Sequence, residues 1–377
     1  MGVSLRYLHV SDTHVGFSQH AKLNAHGLNV REQDFFDAFR RAVDIALERR
    51  VDFVLHSGDV FDAVRPSNRA VAHVMEQVKR LGEAGIPFVA IAGNHEAPKL
   101  RETGSVLRFL DFLPGTHAVY KGRRETVRLG DVAIHAVPHV PSSEGLLAEI
   151  DAARPDPAAR WNVLAFHAGV IGVADFTGGE FNEVNVPTSA LRRDMDDIAV
   201  GHYHKATRLA ENAWYAGATE RTSFKERAEP KGVRLVDLAR GTSEFVEIPT
   251  RRMLDLPAIE CSDLAEVEIA PAILRALGEA DLAGAVARLV VRDVPTHVVR
   301  TIDHGAIRRL AEAAVHLNVE YERVSTERAP GQAPEAIGGL RAEFGAFMDA
   351  AVVPTQKERL KAMGLDYLEA AERGDPA

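Results

Sequence analysis

Within the first 204 residues, five apolar runs of strand length each stop at a short polar group. YLHVS leads to Asp12 and His14, LHSG to Asp59, IAG to Asn94 and His95, VLAF to His167, and IAVG to His202 and His204. This pattern constrains the fold more than composition does. Continuous apolar runs alternating with helix-periodic segments read as parallel strands joined by crossover helices, and such strands present their carboxyl ends on one edge.

The chain between these stops supports that reading. Arg6 to Asp12 reads as a strand, and Phe35, Phe36, Phe39, Val43 and Leu47 then fall at helical spacing. VDFVLHS, SNRAVAHVMEQVKRLGEAG and PFVAIA repeat strand, helix, strand. TVRLGDVAIHAVPHV reads as a hairpin turning at Gly130 and Asp131, and WNVLAFH and DDIAVGH as two more buried strands. From Trp214 to Ile248, short strands separated by Gly217, Gly232 and Gly241 suggest antiparallel structure. A layered α/β domain over 1–250 is expected.

Beyond it, RMLDLPAIE, APAILRALGEA, VARLVVRDV, GAIRRLAEAAVH and VEYERV alternate strand and helix, predicting a small α+β domain over 251–328. Residues 329–377 read as a linker rich in Pro330, Gly331, Pro334, Gly338 and Gly339, followed by two short helices. Leu340, Phe344, Phe347 and Met348 share one helical face; Pro354 breaks the run; Leu360, Met363, Tyr367 and Leu368 form a second stripe.

Composition narrows the class. The 377 residues are 46% hydrophobic and 26% charged, a globular balance, and one cysteine, Cys261, permits neither an intramolecular disulfide nor a cysteine-rich zinc site. Any metal must rest on N and O ligands. No apolar stretch reaches the ~18 residues of a membrane span, and no leader-like segment opens the chain, so a cytoplasmic, non-membrane protein is expected. The net charge of −9 excludes a generally basic chain, so any nucleic-acid binding must be local or shared with a partner.

Thirteen of the 16 histidines precede residue 205, among the strand-end groups. On extended chain, Asp12 and His14 project to one side, as do His202 and His204. Asp59 has two oxygens with which to bridge two cations, which in two-metal hydrolases stand ~3.5–4 Å apart. Gly58, Gly93 and Gly201 allow tight turns beside these groups. Mixed carboxylate, amide and imidazole donors favour Mn or Fe, with Zn as an alternative, over an all-oxygen Mg or Ca cage. His9, His56, His73, His135 and His139 lack such a pattern and are read as structural.

The ordered set DTHVG, GDVFD, GNHE, a lone histidine after a strand, and GHYH resembles the calcineurin-like metallophosphoesterases. More narrowly, DVFDAVRPSNRA and YAGATERTSFKE resemble the bacterial SbcD-type DNA repair nucleases. The resemblance implies a four-layer β-sandwich flanked by helices, with a small α+β capping domain and C-terminal helices. It also implies two divalent metal ions, Mn foremost: Asp12, His14, Asp59 and His204 at one, and Asp59, Asn94, His167 and His202 at the other. His95 would bind no metal and would orient the phosphate or protonate the leaving oxygen. Two departures stand out: Glu96 replaces the commoner Asp of GNHD, and Asp62 stands where archaeal and eukaryotic relatives usually have His.

The implied function is a DNA nuclease processing double-strand-break ends, by metal-activated water and without a covalent intermediate. The implied partners are DNA, a second copy of the chain, and an SbcC-type coiled-coil ATPase; the apolar stripes of the terminal helices are the candidate docking site for it, with packing onto the capping domain as the alternative. Arg65, Arg69, Lys205, Arg221, Lys225 and Arg227 are candidate backbone contacts. Candidate dimer stripes are Val71, Val74, Met75 and Val78, and Val106, Leu107 and Leu110. The alternatives are a metallophosphatase or cyclic-nucleotide phosphodiesterase for small molecules, and a catalytically silent binding subunit.

Overall fold

The computed structural model describes residues 5–98, 103–172, 183–323, 340–350 and 357–373. The chain forms two compact units, Met1–Glu322 and Arg323–Ala377.

In the first unit, β1 (Arg6–Val10), β2 (Phe53–His56), β3 (Phe88–Ile91) and β4 (Thr116–Val119) pair in parallel. A second sheet holds β5 (Glu125–Leu129), β6 (Val132–Ala136), β7 (Trp161–His167), β10 (Asp197–Gly201), β11 (Thr207–Ala210) and β12 (Ala213–Tyr215). Here β6, β7, β10 and β12 are parallel and β5 and β11 are antiparallel edges. β8 (Gly169–Ile171) and β9 (Asn185–Pro187) form a short separate pair. The antiparallel pair β13 (Gly232–Asp237) and β14 (Thr242–Glu247) returns to the first sheet, β13 running against β1.

Alternation along the strands builds the layers. Tyr7, Phe53, Leu55, Val89 and Ile91 point into a core shared with Ile134, Val163 and Ala199 of the other sheet. Their neighbours Leu8, Val54, Phe88 and Ala90 face the opposite way, onto the helix layer. That layer is α1 (Val30–Arg49) and α2 (Asn68–Glu83), and α3 (Ser143–Ala152) covers the second sheet. The order is helix, sheet, sheet, helix, as expected. Caps fix the starts: Asn29 accepts from the N–H groups of Arg31 and Glu32 (2.9 and 3.1 Å), and Ser67 from Ala70 (3.1 Å).

The apolar stripes read as dimer surfaces are largely spent within the chain. Val74, Val78, Val106, Leu107 and Leu110 are buried in the core under the first sheet, with Val71 packed against it. The exposed apolar side chains beside them are Phe109 and Phe112.

A third sheet closes the unit: β15 (Met253–Asp255), β16 (Ile259–Glu260) and β18 (His316–Arg323) all pair with β17 (Val286–Val294). With α4 (Glu266–Glu279), α5 (Thr296–Val299) and α6 (His304–Leu310) it encloses its own core around Ile269, Ile273, Leu289 and Val291. α4 starts four residues earlier than APAILRALGEA suggests. Glu268 caps the N–H of Ala265 (3.1 Å), so the helix is already running when it reaches Pro271.

In the second unit, α7 (Leu340–Ala350) packs on α8 (Lys357–Arg373), where Gly364 leaves room for the Phe344 ring. Lys361 pairs with Asp349 (2.6 Å) and Arg341 with Glu369 (3.1 Å). Leu340, Phe347, Leu360, Met363 and Tyr367 are exposed. The Pro/Gly-rich linker and Pro354 lie outside the described residues. Among the described residues no helix is long and apolar enough to cross a membrane.

Candidate metal centre

The five strand ends meet. β1, β2 and β3 deliver Asp12, His14, Asp59, Asn94 and His95 from one sheet, and β7 and β10 deliver His167, His202 and His204 from the other. Ligand atoms of Asp12, His14 and His204 lie within 4.8 Å of one another, as do those of Asp12, Asp59 and His167, and of His14, Asp59 and His95. The ring of His202 stands 5.3 Å from that of His167, centroid to centroid, and its backbone N–H donates to the Asp12 carboxylate (3.0 Å).

Convergence does not come from extended chain, as period-two alternation suggests. β1 ends at Val10 and β10 at Gly201, and Asp12, His14, Asp59 and His202 all have positive φ (50°, 41°, 55° and 106°). They are four of the seven described non-glycine residues in that region. Left-handed backbone costs of order 1–3 kcal/mol per residue and collects where function demands it. The turns aim the side chains. Gly58 is left-handed (φ 102°), but Gly93 and Gly201 are not, so their role is space and not turning. A Cβ on Gly93 would strike the Asp59 carboxylate, and one on Gly58 or Gly201 the His167 ring.

Hydrogen bonds show what the centre fits. The Nδ1–H of His204 donates to Glu226 (3.1 Å), and Nδ1 of His14 faces Asp62 Oδ1 at 3.4 Å. With both protons on Nδ1, each Nε2 carries a lone pair, yet these two atoms stand 3.0 Å apart. Likewise the Nδ1–H of His167 donates to the Ser57 carbonyl (2.9 Å), which turns its Nε2 lone pair toward Asn94 Oδ1 (2.9 Å) and Asp59 Oδ2 (3.2 Å). Among the described residues nothing donates a hydrogen bond to that Asp59 oxygen. Two sets of acceptors thus converge where a cation or a proton must sit, and the donors present suit divalent metal ions.

Electrostatics agree. Burial opposes ionisation of Asp59, but His167 beside it holds the carboxyl well below the usual range. Burial would lower His167, yet Asp59 pushes it up to about 10, so a proton can stand in for the cation. His95 is half-buried, as is His204, whereas the other groups are buried. Its N–H donates to Asp59 Oδ1 (3.0 Å) and its Nδ1–H to the Asp62 carbonyl (2.7 Å).

A family model described as calcineurin-like phosphoesterase matches residues 5–206, more than half of the chain. The chain belongs to the calcineurin-like phosphoesterase family. It is similar to the DNA double-strand break repair protein Mre11 of Sulfurisphaera tokodaii, 33% identical over 207 residues, covering 52% of this chain and 48% of that one. The Mre11 of Methanosarcina mazei is 31% identical over 270 residues (68% and 40%), and that of Haloferax volcanii 32% over 293 (76% and 61%). The chain spans about half the length of the first of these relatives.

Several residues around this phosphoesterase centre escaped the sequence reading. Glu96 is one of them. Its buried carboxyl accepts from the N–H groups of Phe61 (2.7 Å), Gly93 (2.9 Å) and Asp59 (3.2 Å), fastening the turn after β2 to the turn after β3. Burial, and then Asp59, push it up to about 8. Asp62 serves both His14 and His95, and Glu226 serves His204. Each lies inside a motif quoted above, but nothing in the spacing tells which atom it meets. Of the histidines read as structural, His9 bonds Ser57 (2.8 Å), His56 Thr13 (2.9 Å), His73 the Phe36 carbonyl (2.9 Å) and His135 Asn162 (3.1 Å). His139 stands nearer the centre: burial, then the charge of His167, lower it to about 4.

The basic candidates divide. Arg221 spends its guanidinium on the carbonyls of Glu226, Glu229 and Arg251 and on Thr250; Arg69 pairs with Glu32 (2.6 Å) and Arg227 with Asp255 (3.3 Å). Arg65 and Lys205 are exposed.

Proposed function

We propose that this phosphoesterase is a DNA nuclease that trims ends in double-strand-break repair, working with an SbcC-type coiled-coil ATPase. The observation that carries the reading is the pair of converging acceptor sets with His95 at their half-open side. The relatives add the substrate class, since they are named as double-strand break repair proteins.

In this reading Asp12, His14, Asp59 and His204 hold one divalent ion and Asp59, Asn94, His167 and His202 the other, Mn foremost. When bound, the pair supplies Lewis acidity to the phosphodiester and to water. The chain's own residues do the rest. Asp59 lies between the two sets. His95, fixed through Nδ1 by the Asp62 carbonyl, keeps its other nitrogen for a phosphate or leaving oxygen, and its pKa, opposed by burial but raised by Asp59, favours the proton it must give. The segments 1–250, 251–328 and 329–377 serve as catalytic, capping and ATPase-docking parts, and a second copy of the chain supplies further DNA contacts to a protomer of net charge −9.

The test is cleavage of end-labelled linear and hairpin DNA with Mn²⁺ and with chelator, with His95→Ala alongside. Metal-dependent cutting abolished by that change supports the nuclease. Intact DNA with hydrolysis of a small phosphodiester would replace it with a small-molecule enzyme. Failure to cut either, with Mn²⁺ bound, would leave a binding subunit.

A further inference from the structure

Beneath His204 lies a buried ion pair that the proposed chemistry does not use. Glu226 sits on a 3-10 turn, Phe224–Glu226, and its Oε1 accepts from the Nδ1–H of His204 (3.1 Å) and the hydroxyl of Thr222 (2.5 Å). Its Oε2 pairs with Nζ of Lys231 at 2.6 Å. Lys231 is 1% exposed and also donates to the carbonyl of His204 (2.9 Å) and to Glu229 (3.0 Å). One ammonium therefore holds both the backbone of His204 and the carboxylate that grips its ring. The turn is anchored from its far side, where Arg227 meets Asp255 (3.3 Å) and the Arg288 guanidinium lies 5.1 Å over the Phe224 ring.

A buried ion pair contributes little net stability, because desolvation of both charges offsets their attraction. Placing one here has a different effect. A carboxylate on Nδ1 fixes the tautomer with Nε2 unprotonated, holds the ring plane, and makes Nε2 a stronger electron-pair donor than the Ser57 carbonyl makes that of His167.

We propose that Glu226, locked by Lys231, is the positioning residue for His204, setting how tightly one of the two metal ions is held. The inference rests on the reading of His204 as a metal ligand.

Binding of Mn²⁺ alone to the full chain, by calorimetric titration, tests it in a double-mutant cycle of Glu226→Ala and His204→Ala. Glu226→Ala is expected to weaken one ion by ~10–100-fold and spare the other. Glu226→Gln, which keeps the volume and the acceptor, should restore most of that loss. In the His204→Ala background neither change should weaken binding further. Wild-type affinity in Glu226→Ala, or a loss that adds in full to that of His204→Ala, overturns the proposal. Should Glu226→Ala not fold, Glu226→Gln carries the same cycle with a smaller expected loss. If His204→Ala itself binds both ions as the wild type does, the reading of the centre falls, and the proposal with it.

Discussion

Nε2 of His14 and Nε2 of His204 stand 3.0 Å apart, although 190 residues separate them in the chain. Each imidazole has a carboxylate at its other nitrogen, Asp62 for His14 and Glu226 for His204. Two rings prepared in this way repel unless something positive lies between them. The neighbouring set, His167 with Asp59 and Asn94, repeats the same logic. The centre is thus arranged for cations before any arrive.

In the proposed reading His95, beside these sets, binds no metal and acts on the phosphate or leaving oxygen. His95→Ala should leave Mn²⁺ stoichiometry unchanged while turnover on DNA falls by ~10²–10⁴, the usual worth of a positioned general acid. Loss of a metal ion together with activity would make it a ligand instead.

Gly93 is required for space. An added methyl would meet the Asp59 carboxylate, which is fully buried and has nowhere to move. Gly93→Ala is expected to cost ~2–4 kcal/mol in denaturant unfolding without metal and to weaken Mn²⁺ binding as well. Gly241→Ala, where no atom lies close to the added methyl, should leave Mn²⁺ affinity untouched.

The layers and the strand-end residues were legible in the sequence because both depend on short-range pattern: apolar runs, helical spacing and a polar group at each stop. Asp12, His14 and His202 were found for a reason that the backbone does not obey, since they lie in left-handed turns past the strands. The roles of Glu96, Asp62 and Glu226 were not legible. Each acts across the fold on an atom that only the tertiary structure brings near, as Glu96 does with Phe61, 35 residues away. Arg221 misled for the same reason, because its half-buried carbonyl partners leave no mark on local charge pattern.

Asp197 gives stability a pH dependence. It accepts from the Tyr7 hydroxyl, joining the two sheets, and burial raises its carboxyl to about 7 against the pull of Tyr7 and Arg234. The folded pKa therefore exceeds the unfolded one, so the contribution is whole below about pH 4 and is lost as pH rises through about 7. Between those limits wild type should lose up to ~1.4 kcal/mol per pH unit relative to Asp197→Asn. Parallel pH profiles of unfolding free energy for the two proteins would contradict this.

The basic residues should separate by salt dependence. Arg221→Ala is expected to lower unfolding stability by ~1–3 kcal/mol, because it strips three half-buried carbonyls of their donor. Lys205→Ala should leave stability alone and reduce the salt slope of DNA binding by ~1 if it meets a phosphate. Urea unfolding and DNA titrations at several salt concentrations check both. A changed salt slope with unchanged stability for Arg221→Ala would return it to the DNA surface.

The central claim is that the seven strand-end side chains hold two cations bridged by Asp59. Anomalous diffraction from crystals grown with Mn²⁺ tests it most directly. The account predicts two peaks ~3.5–4 Å apart, one against His14 and His204 and the other against Asn94 and His167, with Asp59 touching both. A single peak, or manganese bound away from Asp59, would contradict it.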